Sequence, residues 1–262
     1  MLTTLAGYRL ANGNIERSLT ITAAQPQVAR ETEYYLDNIG NVKSIDDFLA
    51  DDRLFKYAMK AWGLQDVDYA KAFMRKVLTE GIDADRSFAN TLADPRYKEF
   101  AKAFNFKLYG ETTTKWEDAR QGTVDRYMRQ KVEEDAGSQN EGVRLALYFE
   151  RKASSITSAF SILGDKALLQ VAQSALGLPV TMSLLDIDRQ AEMINDRIDI
   201  EDFKDPEKVQ SLLTRFSAMW DVNNSSAATS TSPAVLLITQ PTESFVSVNL
   251  LTSLQNLKLG GM

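Results

Sequence analysis

Two pairs of adjacent aspartates, Asp46-Asp47 and Asp51-Asp52, are the residues of this chain best suited to acid–base chemistry. Two carboxylates that converge on one substrate can serve as general acid and general base. Neighbouring residues on a helix point about 100° apart, however, so neither pair converges on one atom. Asp46 and Asp47 stand in the first turn of a predicted helix, where carboxylates stabilise the positive end of the helix dipole, and roles as caps and dipole partners account for both pairs. Their pattern therefore favours helix capping over catalysis.

A second acidic motif, Asp83-x-Asp85-x-Ser87, has part of the spacing of a calcium-binding loop, and Asp94 stands at its twelfth position. Such a loop needs glycine at its sixth position for a sharp turn, and Phe88 stands there instead. The loop also needs a bidentate glutamate at its twelfth position, which this chain lacks. We interpret the motif as a turn between helices, with Ser87 as an N-cap.

Several residue types that carry much of enzyme chemistry are missing from the chain. There is no cysteine, which excludes disulfides and thiolate sites, and no histidine, which excludes Ser-His-Asp triads and His-rich metal sites. Glycine-rich loops of the kind that bind nucleotide phosphates are also absent. The sequence thus predicts a protein that is not an enzyme, with no catalytic, cofactor-binding or metal-binding residues. A hydrolase that uses two carboxylates distant in sequence is the third-ranked interpretation.

Charge and hydropathy limit the partners and the location of the protein. The net charge is −6 and the basic residues are spread along the chain, so we expect no nucleic-acid partner. The N-terminal sequence MLTTLAGYRLANGN lacks the cationic and apolar regions of a secretory signal peptide. No stretch approaches the ~18 apolar residues of a membrane helix. We expect no membrane insertion, and a location in the cytoplasm or export by a route that cleaves no signal.

An internal repeat organises the chain. Residues 54–64 (LFKYAMKAWGL) align without a gap with residues 168–178 (LLQVAQSALGL). Further along each copy, an Asp-Pro pair at 94–95 or 205–206 predicts a helix start. The sequence therefore predicts two tandem helical modules. The identical pairs are Leu54/Leu168, Ala58/Ala172, Ala61/Ala175, Gly63/Gly177 and Leu64/Leu178.

Helical periodicity with strong start and stop signals runs through most of the chain, whereas strand signals are scarce. In the first copy, Ser44 is predicted to cap a helix that ends at Trp62, and Asp68 to cap the next helix. Gly63 and Gly81 are predicted to stop these two helices. The fold class that follows is all-α.

The N-terminal region is predicted to contain one helix, over residues 28–39, after a break at Gln25-Pro26. The residues before this break mix polar and apolar positions without a clear apolar stripe. We therefore expect them to form a mobile arm unless a partner orders them.

A long central helix from about Asn140 to Leu163 is predicted to follow Gly137, which ends a charged helix that begins at Trp116. Its apolar positions alternate in steps of three and four, as in a short coiled coil. We expect this helix to be the strut on which both repeats pack, and a dimer seam is the alternative. The apolar positions are Ala146, Phe149, Ala153, Ile156, Phe160 and Leu163.

The C-terminal part has a different composition. Residues 223–233 (NNSSAATSTSP) carry no large apolar side chain and are typical of a linker. AVLLITQP could then form a short strand, and residues 243–259 are predicted to form an amphipathic helix. Its leucines could pack on the body of the protein or on a partner chain. The predicted partner-binding residues are Leu250, Leu251, Leu254 and Leu257.

These observations divide the chain into five segments, with mobile arms predicted at both ends. The proposed boundaries place an N-terminal arm and lead-in helix at 1–43, the first helical repeat at 44–106, connecting long helices at 107–163, the second helical repeat at 164–221, and a Ser/Thr-rich linker with a C-terminal amphipathic segment at 222–262.

Three stretches of the sequence resemble the DUF1217 family of alphaproteobacterial proteins. They are EYYLDNIGNVKSIDDFLADDRLFKYAMKAWGL (33–64), DYAKAFMRKVLTEG (68–81) and DPRYKEFAKAFNF (94–106). The similarity covers nearly the whole chain, including GDKALLQVAQSALGLP in the second copy. The resemblance implies an all-helical fold. It also implies a flagellum-associated role, because members are commonly encoded among flagellar and motility genes, and it implies no catalytic residues.

Two functional interpretations follow. The first is a non-enzymatic structural or assembly protein of the bacterial flagellum, with protein partners among the axial or export components. Axial proteins often have terminal segments that coil together on assembly, and the predicted arms of this chain are similar in style. The alternative is a cytoplasmic regulator or export chaperone of the motility system. Neither interpretation requires or excludes a homo-oligomer.

Overall fold

The computed structural model describes residues 2–224, and the regular secondary structure of this part is entirely helical, which confirms the all-α class. Residues 225–262 lie outside the described part, and with them most of the predicted linker and all of the predicted strand, amphipathic helix and partner-binding leucines. The predicted start of the linker at 222–224 is wrong, because these residues belong to the helix Pro206–Asn224. The α-helices, which are joined in places by 3₁₀ turns, are α1 (Thr4–Gly13), α2 (Ile15–Ala23), α3 (Pro26–Ile39), α4 (Ile45–Ala50), α5 (Asp52–Ala61), α6 (Lys71–Glu80), α7 (Phe88–Thr91), α8 (Pro95–Ala103), α9 (Phe106–Tyr109), α10 (Gln121–Gln139), α11 (Glu141–Ala153), α12 (Ala159–Leu163), α13 (Lys166–Leu176), α14 (Ile187–Asn195) and α15 (Pro206–Asn224).

The buried apolar side chains form two clusters. The first is built from residues between Val28 and Tyr127 and centres on stacked and edge-on aromatic rings, among them Phe48 and Phe104. The second combines Tyr8 with residues between Val143 and Phe216. Helix α10 packs against α5 of the first cluster and α11 of the second, so it joins the two. Both clusters belong to one compact unit.

The two repeated sequence stretches end their helices in the same way. Gly63 after α5 has φ +72°, and Gly177 after α13 has φ +64°, a left-handed backbone region that favours glycine. In each copy the following leucine N–H donates to a carbonyl five residues earlier, at 2.8 Å for Leu64 and 2.9 Å for Leu178. These are Schellman-type endings, which explains the identity of the Gly-Leu pairs. The two copies thus have equivalent helix ends. That they form two equivalent modules remains a prediction.

The helix predicted from Ser44 to Trp62 is in fact two helices. Ser44 does begin α4 with a capping box, in which its side chain accepts from the Asp47 N–H and the Asp47 carboxylate accepts from the Ser44 N–H. Asp51 then leaves the helical conformation, and its carboxylate accepts from the N–H groups of Arg53 and Leu54 at 3.0 Å. The aspartate thus starts α5, because the cap satisfies N–H groups that have no partner within the helix.

The predicted long helix from Asn140 to Leu163 is wrong in its extent. Helix α11 ends at Ala153, and the apolar seam continues only after a turn, where Phe160 is half-exposed. Phe149 on this seam is fully buried against Phe203 of the same chain, so the packing is intramolecular rather than a dimer seam. Gly137 does not end α10 either. A Cβ at this position would lie 2.8 Å from Cδ of Arg144, so the glycine lets α10 and α11 approach closely.

The N-terminal region also differs from the prediction of a mobile arm. Residues before Pro26 form α1 and α2, which pack on α11, α15 and α10. The inward face of α1 is largely polar, since its buried residues are Thr4 and Tyr8. A search for an apolar stripe therefore could not find this helix. The lead-in helix is confirmed as α3, with Pro26 at its first position.

Three tyrosines stack in the first cluster and make stability sensitive to alkali. The ring centroids are 4.4 Å apart for Tyr35 and Tyr57, and 3.9 Å apart for Tyr57 and Tyr127. Burial disfavours the phenolate, and together with the charge of Glu31 it raises the pKa of Tyr127 from 10.0 to about 12. Burial also raises the pKa values of Tyr35 and Tyr57.

We expect the protein to lose stability as the pH rises from 10.0 towards about 12. Over this range Tyr127 ionises in the unfolded chain but keeps its proton in the folded one, so the unfolded state is favoured. The stabilisation is fully present at pH values below 10.0, the pKa of Tyr127 in the unfolded chain. Urea unfolding at several pH values measures the effect, and Tyr127→Phe should make the alkaline decline shallower. An unchanged slope in that variant would show that Tyr127 ionises equally in both states.

Candidate functional site

The aspartates with the greatest catalytic potential are held by partners within the fold. Asp47 belongs to the α4 capping box, and hydrogen bonds from Ser44 and Lys43 lower its pKa. Asp52 forms an ion pair with Lys71, whose hydrogen bond and charge lower the pKa of this carboxyl. Such carboxylates are kept ionised by structural contacts.

Their neighbours have structural partners as well. Asp46 pairs with Arg75, and Asp51 caps α5 while it accepts a hydrogen bond from the Tyr34 hydroxyl at 2.8 Å. The four aspartates therefore act as caps and ion-pair partners at the ends of α4 and α5.

The calcium-like motif is used as a turn. Asp94 caps α8 and forms an ion pair with Arg96, and Asp83 receives a long hydrogen bond from Asn105. Ser87 stands at the N-cap position of α7 but makes no capping bond; the Glu80 carboxylate accepts from the Phe88 N–H instead, at 2.7 Å. Asp68 likewise does not cap α6, which begins at Lys71. Within residues 2–224, no group of three or more carboxylates is placed to bind a metal ion.

An apolar groove of about 630 Å³ lies between the N-terminal helices and α10. Its walls include Leu2, Leu10 and Ile21, which are 62%, 60% and 57% exposed. Small and aliphatic side chains line its floor. The groove is lined by Leu2, Gly7, Leu10, Ala11, Asn14, Arg17, Ser18, Ile21, Thr22, Gln25, Val132, Asp135, Ala136, Gln139, Asn140 and Val143.

Helix α1 is attached to the body partly through polar contacts, and it leaves one large aliphatic side chain exposed at the groove. Its inward face uses polar atoms: Tyr8 accepts a hydrogen bond from Gln210 at 2.7 Å, and Asn12 donates to Glu150 at 2.7 Å. Of its two leucines, Leu10 is exposed at the groove, whereas Leu5 packs partly buried against the second cluster. Gly7 meets Val143, and a Cβ at position 7 would lie 2.7 Å from Cγ2 of that valine. Polar contacts thus attach the helix, while its aliphatic surface stays free to bind.

The end of α1 is fixed to the end of α15. The Thr4 N–H donates to both carboxylate oxygens of Asp221, at 3.0 and 3.2 Å, and the Thr4 hydroxyl donates to the same carboxylate. Asn140, between α10 and α11, donates to the Thr4 hydroxyl at 3.0 Å. Three helix ends therefore meet beside the groove, and they set the position of its α1 wall.

We expect Asp221→Ala to loosen α1. The substitution leaves the Thr4 N–H and hydroxyl without their charged acceptor, and such hydrogen bonds contribute about 1.5–3 kcal/mol. Hydrogen–deuterium exchange should show faster exchange of α1 amides with little change in α13. Asn223→Ala, at an exposed position on the same helix, is the matched control. Equal α1 protection in both variants would show that Asp221 does not hold the helix.

A second exposed apolar patch lies on the segment between α13 and α14. Val180 and Leu184 are its most exposed members, and Leu184 is 85% exposed. The patch provides a chemically matched comparison for the groove, because the same substitutions can be made at similarly exposed aliphatic positions. No helix within residues 2–224 is long and apolar enough to cross a lipid bilayer.

The residues that line the groove were missed by sequence reasoning. Leu10 and Ile21 stand in the segment predicted as a mobile arm, and the predicted partner-binding leucines lie beyond Asn224. The aliphatic residues of this segment are mixed with polar ones without a clear stripe, so no local signal in the sequence marked the groove.

The described part of the chain is an all-helical body with an open apolar groove. A family model described as "Protein of unknown function (DUF1217)" matches residues 61–209, and the chain belongs to this family. Its fold is similar to that in the X-ray crystal structure of Protein AGR_C_984 from Agrobacterium tumefaciens. The TM-score is 0.79 at 49% sequence identity, over 86% of this chain and 97% of that one. A search of curated proteins gave no match.

Proposed function

We propose that this protein is a non-enzymatic structural or assembly component of the bacterial flagellum that acts through protein–protein contacts at the groove. The observation that carries the proposal is that exposed aliphatic side chains of α1 and α2, Leu10 and Ile21, line an apolar groove of about 630 Å³. The flagellar association rests on the sequence resemblance to a family commonly encoded among motility genes.

The largely apolar lining of the groove suits the aliphatic face of an amphipathic helix. Helices bind such grooves by inserting aliphatic side chains at spacings of three and four residues. The lining includes the small residues Ala11 and Ala136 beside the exposed Leu10 and Ile21, and its volume of about 630 Å³ can hold several leucine-sized side chains. Arg17 and Asp135 provide charges of both signs at the lining, so the groove has no strong preference for an acidic or a basic partner.

Affinity capture of full-length variants from motile cells tests the proposal. Leu10→Glu combined with Ile21→Glu places two charges on the groove walls at positions that are more than half exposed, so folding should be preserved. We expect the amount of flagellar protein captured by this variant to be at least ten-fold lower than the amount captured by the wild type. Val180→Glu with Leu184→Glu is the matched control and should capture them normally.

Other outcomes would redirect or contradict the proposal. Loss of capture only in the control variant would move the binding surface to the patch at Val180 and Leu184. Capture of cytosolic proteins alone, with none in purified basal bodies or culture medium, would favour the regulator or export chaperone. A full-length chain with Leu250, Leu251, Leu254 and Leu257 changed to Ala tests the predicted C-terminal contacts in the same assay.

A further inference from the structure

An exposed apolar groove can bind an apolar segment of a protein chain, and the C-terminal sequence of this protein contains such a segment. Residues 243–259 have seven aliphatic side chains, five of them at near-helical spacing between positions 248 and 257, and their two charged residues, Glu243 and Lys258, are of opposite sign. A nearly neutral, leucine-rich segment suits a groove whose lining has an apolar floor and charges of both signs. The five at near-helical spacing are Val248, Leu250, Leu251, Leu254 and Leu257.

We propose that the groove of one copy of this protein binds residues 243–259 of a second copy. The inference rests on the proposed function, because an assembly component must keep its binding surface available to other subunits. The described body ends at Asn224, and the intervening residues 225–242 can span up to about 3.4 Å each. Fully extended, this stretch reaches about 60 Å, which exceeds the diameter of about 45 Å expected for a compact body of this length.

Contacts of this kind have a definite consequence for assembly. The groove and the C-terminal segment are different surfaces, so the contact between them is heterologous. Each copy offers one of each, and association therefore continues head to tail unless the ends close into a ring. A protein built in this way forms chains whose length rises with concentration.

Sedimentation velocity of full-length proteins tests the inference. We expect the mass of the wild type to rise with concentration beyond that of a dimer. The groove variant (Leu10→Glu, Ile21→Glu) and a tail variant (Leu251→Glu, Leu254→Glu) should each be monomeric. Mixed in equal amounts they should form a dimer that does not grow, because the pair retains one intact groove and one intact segment. Val180→Glu with Leu184→Glu should associate like the wild type.

Three results would overturn the inference. A wild type that stays monomeric at all concentrations, together with variants that dimerise when mixed, would place the segment in the groove of its own chain. No association in the mixture would mean that this segment does not bind the groove. A wild type that forms only a dimer would replace head-to-tail chains with a closed pair. In each case, continued capture of flagellar proteins by the wild type but not by the groove variant would leave the proposed function intact.

Discussion

Replacing Gly164 with alanine should lower the free energy of unfolding by about 2–3 kcal/mol, because the added methyl group has no space. A Cβ at this position would lie 2.4 Å from the carbonyl oxygen of Ala93 and 3.0 Å from its carbonyl carbon. These are backbone atoms, so the clash cannot be relieved by rotating a side chain. The φ angle of Gly164 is −75°, which alanine adopts freely, so the expected cost is purely steric.

The location of this contact gives the substitution its importance. Ala93 directly precedes Asp94, the cap of α8 in the first cluster, while Gly164 follows α12 in the second. Moving the two segments apart would disturb the joint between the clusters. Gly13→Ala is the matched control, because nothing lies within 4 Å of a Cβ there and the residue is helical. Chemical denaturation measures the free energy of unfolding of the two variants. Equal values would show that the backbones at Ala93 and Gly164 are not in close contact.

Removing the carboxylate of Glu133 should have the second large effect, a loss of about 3–5 kcal/mol. The side chain of Glu133 is only 1% exposed and forms ion pairs with Arg151 at 2.6 Å and Arg129 at 3.4 Å. Burial alone would lower the pKa of Arg151, but its hydrogen bonds to Glu133 raise it above its ordinary value. Glu133→Ala would therefore leave buried guanidinium charge uncompensated, which is more costly than losing an exposed pair.

A matched control exists for this prediction too. Glu192 forms an ion pair of the same length, 2.6 Å, with Arg189, but both side chains are more than half exposed. We expect Glu192→Ala to change stability by less than about 0.5 kcal/mol, since water screens such pairs. Urea denaturation of the two variants at neutral pH gives the comparison. Similar losses in both would mean that Glu133 is accessible to water and that α10 and α11 pack less tightly there.

Local signals in the sequence predicted much of the fold. Pro26 begins α3, the Asp94-Pro95 and Asp205-Pro206 pairs begin α8 and α15, and Gly177 ends α13 in the left-handed conformation. Each of these depends on the chemistry of one or two residues, which a sequence shows directly. The family resemblance was confirmed as well.

What could not be predicted depends on tertiary contacts. Helix α1 is buried through Thr4 and Tyr8, and their partners lie more than 140 residues away, at Asp221, Glu150 and Gln210. The break after Ala153 carries no proline or glycine signal. The groove arises only when α1 and α2 are placed beside α10. Such features require the assembled fold, because their stabilising partners are distant in sequence.

The most direct test of the central claim, that the groove is a protein-binding surface, is photo-crosslinking in motile cells. A photoreactive amino acid would replace Leu10 on the groove wall or, as a control, Leu184 on the other apolar patch. The account predicts adducts from position 10 that contain motility proteins or a second copy of this chain, and few from position 184. Adducts from position 184 alone, or none from either position, would contradict it.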